Sequence, residues 1–155
     1  MGKGEEAQAH FAAGMNCAQA VAAAFAGEIG MDAATAARLV VGFGGGFGRM
    51  REVCGAVSGM VFVLGALRGG EAAASPEAKR DLYAAVQRVM KRFAAENGSY
   101  ICGELLGGRP RGEDPRPDAR TPEYYRKRPC GELVRSAANL LAAMLDEPGR
   151  PPANV

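Results

Sequence analysis

The chain has 155 residues, enough for one domain that buries a real core without needing disulfides or a metal merely to fold. Its 19 basic and 17 acidic side chains leave a net charge of +2, and with no Trp and few aromatic residues it lacks the basic, ring-bearing surface that binds nucleic acid. The opening MGKGEEAQAHFAAG has no long apolar run of the secretory kind, and Glu6 stands where an N-myristoylation motif needs Ser or Thr, so a cytoplasmic protein is expected, in which stable disulfides are not the default.

Abundant Ala, scarce strand-like alternation and Gly or Pro at helical intervals predict an all-α domain, a compact bundle of about five to seven helices over residues 1–147 with a Pro-rich tail at 148–155. A first helix covers about residues 4–13 and stops at Gly14, after which Asn16 is placed to cap a second helix running to Ala26. Asp32 caps a third, AATAARLVVGF, before the Gly-dense stretch 42–48 interrupts regular structure. Val53 to Leu67 is an apolar run of 15 residues between charged flanks, too short to cross a bilayer and read as a buried core helix starting near Val53. Ser75-Pro76-Glu77 starts the longest helix and Asn97-Gly98 stops it. Ser99 is placed to cap a short helix over 100–106, the Pro-rich stretch 107–120 is an exposed loop, and Thr121-Pro122-Glu123 opens another turn or short helix. Pro129 reads as the first position of the last helix.

Chemistry is concentrated in four cysteines, Cys17, Cys54, Cys102 and Cys130, each near a predicted helix start and followed by Ala18, Gly55, Gly103 or Gly131. A helix N-terminus presents unsatisfied N–H groups and positive potential, which favours the thiolate that attacks disulfides and binds metals. The cysteines are separated by 37, 48 and 28 positions, so there is no CxxC, no zinc-finger or ferredoxin spacing, and no CxxCH for haem attachment. Four helix beginnings can nonetheless meet at one place, with Gly or Ala after each thiol permitting close approach. Scattered buried thiols are the competing reading.

Around the cysteines, Gly55 and Gly59 form a flat helix face for a packed neighbour or a dimer, and Ser58 is positioned to help frame a sulfur site. GFGGGFGR, residues 42–49, lacks the strand and the Lys-Ser/Thr pair of a phosphate loop; it reads as a sharp turn feeding Cys54, with Arg49 offering positive charge. His10 is the only histidine and has no partner motif, and Tyr124-Tyr125 beside Arg126-Lys127-Arg128 suggest one packed ring among solvated charges.

Asn16-Cys17-Ala18, the Gly-rich loop leading into Cys54-Gly55-Ala56-Val57-Ser58-Gly59, Cys102-Gly103 with Leu105, and Cys130 with Leu133-Val134 together resemble the bacterial and archaeal redox-active family named after its cysteine pattern, C_GCAxxG_C_C. The resemblance covers about residues 10–145 and implies a small helical domain with a redox or metal role for the cysteines. A related four-cysteine domain in split-Soret cytochromes accompanies an iron–sulfur centre. The leading expectation is thus an iron–sulfur cluster on the four thiolates, serving an unidentified redox partner. A thiol–disulfide pair and a structural zinc module, or no cofactor at all, are the alternatives.

Overall fold

The computed structural model describes residues 1–112 and 114–147; the tail expected at 148–155 lies outside them. Among the described residues there are eight helices and no strand: α1 Lys3–Ala12, α2 Cys17–Ala24, α3 Ala33–Val40, α4 Gly55–Ala74, α5 Pro76–Asn97, α6 Cys102–Leu105, α7 Pro122–Lys127 and α8 Cys130–Leu145. A 3₁₀ turn, Val41–Phe43, leads into Gly44–Phe47, where Gly45 (φ 69°) and Gly46 (φ 68°) are left-handed, so that stretch is a Gly-built turn and not a helix. The all-α expectation holds, and one-turn pieces such as α6 carry the number of helices past seven.

Local chemistry sets most boundaries. The Asn16 side chain accepts from Gln19 N–H while the Gln19 side chain accepts from Asn16 N–H, both at 3.0 Å, a reciprocal cap that fixes the first turn of α2. Asp32, Ser75 and Thr121 accept from the N–H groups of Thr35, Ala78 and Tyr124 at 2.8, 3.0 and 3.1 Å. Gly98 (φ 95°) ends α5, since a left-handed residue there lets its N–H close on Ala94 O.

Three expected starts are displaced, and each involves a cysteine. The helix expected near Val53 begins at Gly55, with Cys54 in the cap position, because Val53 instead forms an antiparallel bridge with Ile101. In that bridge Cys54 N–H donates to Tyr100 O at 2.8 Å and Cys102 N–H donates to Glu52 O at 2.6 Å. The same pairing extends the chain through Ile101, so α6 starts at Cys102 and Ser99 is not its cap; Ser99 Oγ accepts from Ile101 N–H at 2.9 Å and donates to Glu104. Pro129 occupies the cap position of α8, which makes Cys130 the first helical residue.

The core is organised around α2, buried from Ala18 to Ala24 except at Gln19 and packed against α1, α3, α4 and α8. Helix α4 pairs with α5 and also meets α8, burying Met60, Val63 and Leu64. It runs on through Gly69 and Gly70 to Ala74 for 20 residues, which by length and composition would suffice to cross a membrane. The expectation of a helix too short to span is corrected in length, while that of a core helix is met by its buried first turns. Gly55 and Gly59 lie against α2: a Cβ on Gly59 would stand 2.9 Å from Val21 Cβ and 3.1 Å from Ala18 O. That face is filled by the chain's own helix, which corrects its reading as a dimer surface.

Gly59→Val is expected to destabilise the fold by about 1–3 kcal/mol through overpacking. Gly131→Ala, whose nearest neighbour is Phe11 Cδ1 at 3.6 Å, is expected to be neutral or mildly stabilising. Urea unfolding followed by circular dichroism distinguishes the two; equal midpoints would refute the close-approach account of Gly59.

Candidate functional site

The capped start of α2 fixes Cys17, the antiparallel Val53–Ile101 bridge fixes Cys54 and Cys102 diagonally, one residue beyond it in each segment, and the start of α8 brings Cys130 to Cys17. All four cysteines line one cavity of about 230 Å³. None is in a disulfide; Cys17 is half-buried and the other three are buried. A Cβ on Gly55 would lie 3.2 Å from both Cys17 Cβ and Ala18 N, and one on Gly46 would lie 2.7 Å from Cys102 Cβ. The absence of side chains at these two positions lets separate helix beginnings converge.

Of the other residues expected to serve the site, Asn16, Arg49 and Gly55 line the cavity. Ser58, Gly59, Gly103 and Gly131 are not in its wall. Ser58 is buried one turn into α4, Gly59 meets Val21, Gly103 makes room for Arg109 O, which a Cβ would meet at 2.8 Å, and Gly131 borders Phe11. His10 sits in the last turn of α1 and is likewise outside the wall.

Burial corrects the expectation that every helix start favours a thiolate. Desolvation pushes the Cys54 thiol up to about 12, against the N–H groups of Ala56 and Val57 that favour its ionised form. Cys17 is pushed well above the ordinary thiol range, first because it hydrogen-bonds Cys130 as a thiol and then by burial. Cys102 is raised by burial, with the Arg51 guanidinium opposing. Only Cys130 is lowered, to about 7: the hydrogen bond from Cys17 outweighs its burial, and Arg128 adds to it. Of the four thiols Cys130 is the one whose ionised form the site favours, through the Cys17 thiol and Arg128.

The Pro-rich stretch is the exposed loop that was expected, without regular structure among its described residues, and it also lines the cavity through Pro115, Pro117, Asp118 and Arg120. Asp118 accepts from Arg128 and, at 3.5 Å, pairs with Arg49 and Arg109. Burial works against its charge, but these arginines hold its carboxyl below the ordinary range. Arg120 donates to Met15 O at 2.9 Å and Phe11 O at 3.3 Å, with its guanidinium 4.4 Å from the Phe11 ring centre and 4.9 Å from that of Tyr124. Both members of the Tyr124-Tyr125 pair surround this cation, where one packed ring was expected.

Sequence reasoning missed Arg51, Asp118, Arg120 and Arg128 as parts of the wall. Arg128 stands two residues before Cys130 and Arg51 three before Cys54, a proximity that could have marked them. Asp118 and Arg120 carry no local signal, because only the fold of the loop brings them to the sulfurs. Among the described residues no three His, Cys, Asp or Glu side chains close on a single metal ion.

No curated protein and no solved structure matches the chain significantly. A family model described as "Putative redox-active protein (C_GCAxxG_C_C)" matches residues 15–144, which include all four cysteines of the cavity. The chain belongs to the C_GCAxxG_C_C family.

Proposed function

We propose that this is a redox protein in which Cys17, Cys54, Cys102 and Cys130 together hold an iron–sulfur cluster used for electron transfer or redox sensing. The observation that carries the reading is the convergence of all four thiols on one cavity of about 230 Å³. Cysteine thiolates hold iron–sulfur clusters, and four of them can also hold a structural zinc, so metal analysis separates the two. The donor set, four cysteines and no histidine in the wall, suits iron and sulfide.

When bound, such a cluster supplies one-electron transfer. The chain supplies the rest. Arg49, Arg51, Arg120 and Arg128 line the cavity against a single acid, Asp118, so their charge offsets that of the thiolates. The Pro115–Arg120 segment is held against the cavity by the Asp118 ion pairs and the Arg120 stack. Protein isolated without oxygen is expected to be brown and to contain iron and acid-labile sulfide, and each single Cys→Ser exchange is expected to reduce the iron content. A folded, colourless protein containing neither, from cells supplied with iron, would sink the proposal.

The Cys17–Cys130 contact favours a second reading, a thiol–disulfide couple. The Cys130 thiolate would attack one sulfur of an external disulfide, expelling the other as a thiolate. Cys17, losing its proton, would then displace the remaining external thiolate and close a Cys17–Cys130 bridge. In metal-free protein, alkylation of Cys130 is expected to rise through a midpoint near pH 7, while Cys54, whose thiol lies at about 12, stays protonated and slow across pH 6–9. Mass spectrometry of peptides alkylated over that range checks the order; equal rates at Cys54 and Cys130 would contradict it. Mild oxidation with an external disulfide is expected to link Cys17 to Cys130 only.

A further inference from the structure

Arg51 is unlike the other cations of the wall. It is buried to 3% exposure, and its Nη1 donates to Cys102 Sγ at 3.6 Å. Its backbone is left-handed (φ 60°), as are those of Phe47 (φ 64°) and Arg49 (φ 68°), a conformation that costs a non-glycine residue about 1–2 kcal/mol. The chain holds this conformation with two backbone bonds, one within the turn and one long-range: Arg51 N–H donates to Gly45 O at 3.2 Å and Gly103 N–H donates to Arg51 O at 3.1 Å. The second bond ties Arg51 to the residue that follows Cys102. A strained backbone clamped on both sides therefore carries a desolvated guanidinium to one particular sulfur.

We propose that Arg51 is a positioning residue that concentrates positive potential on the Cys102 side of the cavity and stabilises negative charge on that sulfur, and on whatever redox group it holds. Charge, not hydrogen-bond geometry alone, is the operative property: a point charge within 4 Å of sulfur in a water-poor site is weakly screened. A lysine should therefore retain most of the effect and a neutral isostere should lose it. The inference rests on the reading of the four-thiol cavity as a redox site, but its main test is made on metal-free protein and stands apart from iron binding.

The test compares two small alkylating agents of similar size, anionic iodoacetate and neutral iodoacetamide, at each cysteine by peptide mass spectrometry. Their rate ratio cancels thiolate fraction and exposure to first order and reads local potential. In the native chain the iodoacetate-to-iodoacetamide ratio at Cys102 is expected to exceed that of the same cysteine in the urea-unfolded chain by about fivefold or more. Arg51→Gln is expected to remove that excess at Cys102 and leave the ratio at Cys17 within twofold, while Arg51→Lys keeps at least half of it. A purely structural role would speed both reagents together without moving the ratio, and that result overturns the proposal. Should the Gln protein not fold, the native chain and the Lys protein decide: a native ratio no higher than the unfolded one, or one lost in a folded Lys protein, overturns it equally. With iron bound, the Gln exchange is expected to lower the midpoint potential below that of the Lys protein, and an unchanged potential overturns the redox part of the proposal. A failure to bind iron counts against the cluster and leaves the ratio test untouched.

Discussion

A Cβ on Gly55 would stand 3.2 Å from Cys17 Cβ, and one on Gly59 would stand 2.9 Å from Val21 Cβ, so α4 can lie as close to α2 as it does only because both positions lack a side chain. The cavity depends on that approach. Helix α2 is the centre of the core, and setting the start of α4 against its start brings Cys54 beside Cys17. The Val53–Ile101 bridge then places Cys102 by fixing where α6 begins, and the packing of α8 on α1 and α2 delivers Cys130. Glycine in a helix interior costs about 1 kcal/mol relative to alanine, and here the cost is offset by a contact that no larger residue could make.

Convergence creates an electrostatic conflict. Raising Cys54 to about 12 means that its site disfavours the thiolate by roughly 4 kcal/mol relative to a free thiol, more than the 0.3–1 kcal/mol that a charge usually gains at a helix N-terminus. Helix dipoles alone therefore cannot keep four thiols ionised. The fold answers with arginine: Arg51 reaches Cys102 and Arg128 favours ionisation at Cys130, while Asp118 ties Arg128, Arg49 and Arg109 together. The strained turn is the backbone consequence, since a left-handed run from Gly45 to Arg49, with Arg51 left-handed as well, lets a short Gly-rich segment carry both Arg49 and Arg51 to one cavity.

Much of the fold was legible because its signals are local. Asn16 with Gln19, Asp32, Ser75-Pro76 and Thr121-Pro122 each carry a capping hydrogen bond within three residues, so composition and spacing suffice to find them. The starts at Cys54, Cys102 and Cys130 were displaced for a non-local reason in the first two cases: a bridge between positions 53 and 101 overrides the capping preference of Ser99 and delays α4 by two residues. The Pro-rich loop is exposed and irregular as its composition says, but its part in the cavity was hidden for a similar cause. Its composition describes a chain without regular structure, and says nothing of Asp118 and Arg120 finding partners on α1 and beside Cys130.

The sequence by itself determined the all-α class, the family, the four thiols as the seat of the chemistry and the small residues that permit them to approach one another. Tertiary structure alone decided that these thiols share one wall, that their surroundings raise three of them and lower Cys130, and that four arginines and one aspartate line the cavity with them. The division is physical: helix propensity and capping act over a few residues, whereas desolvation and charge pairing depend on which distant segments exclude water from the same few ångströms.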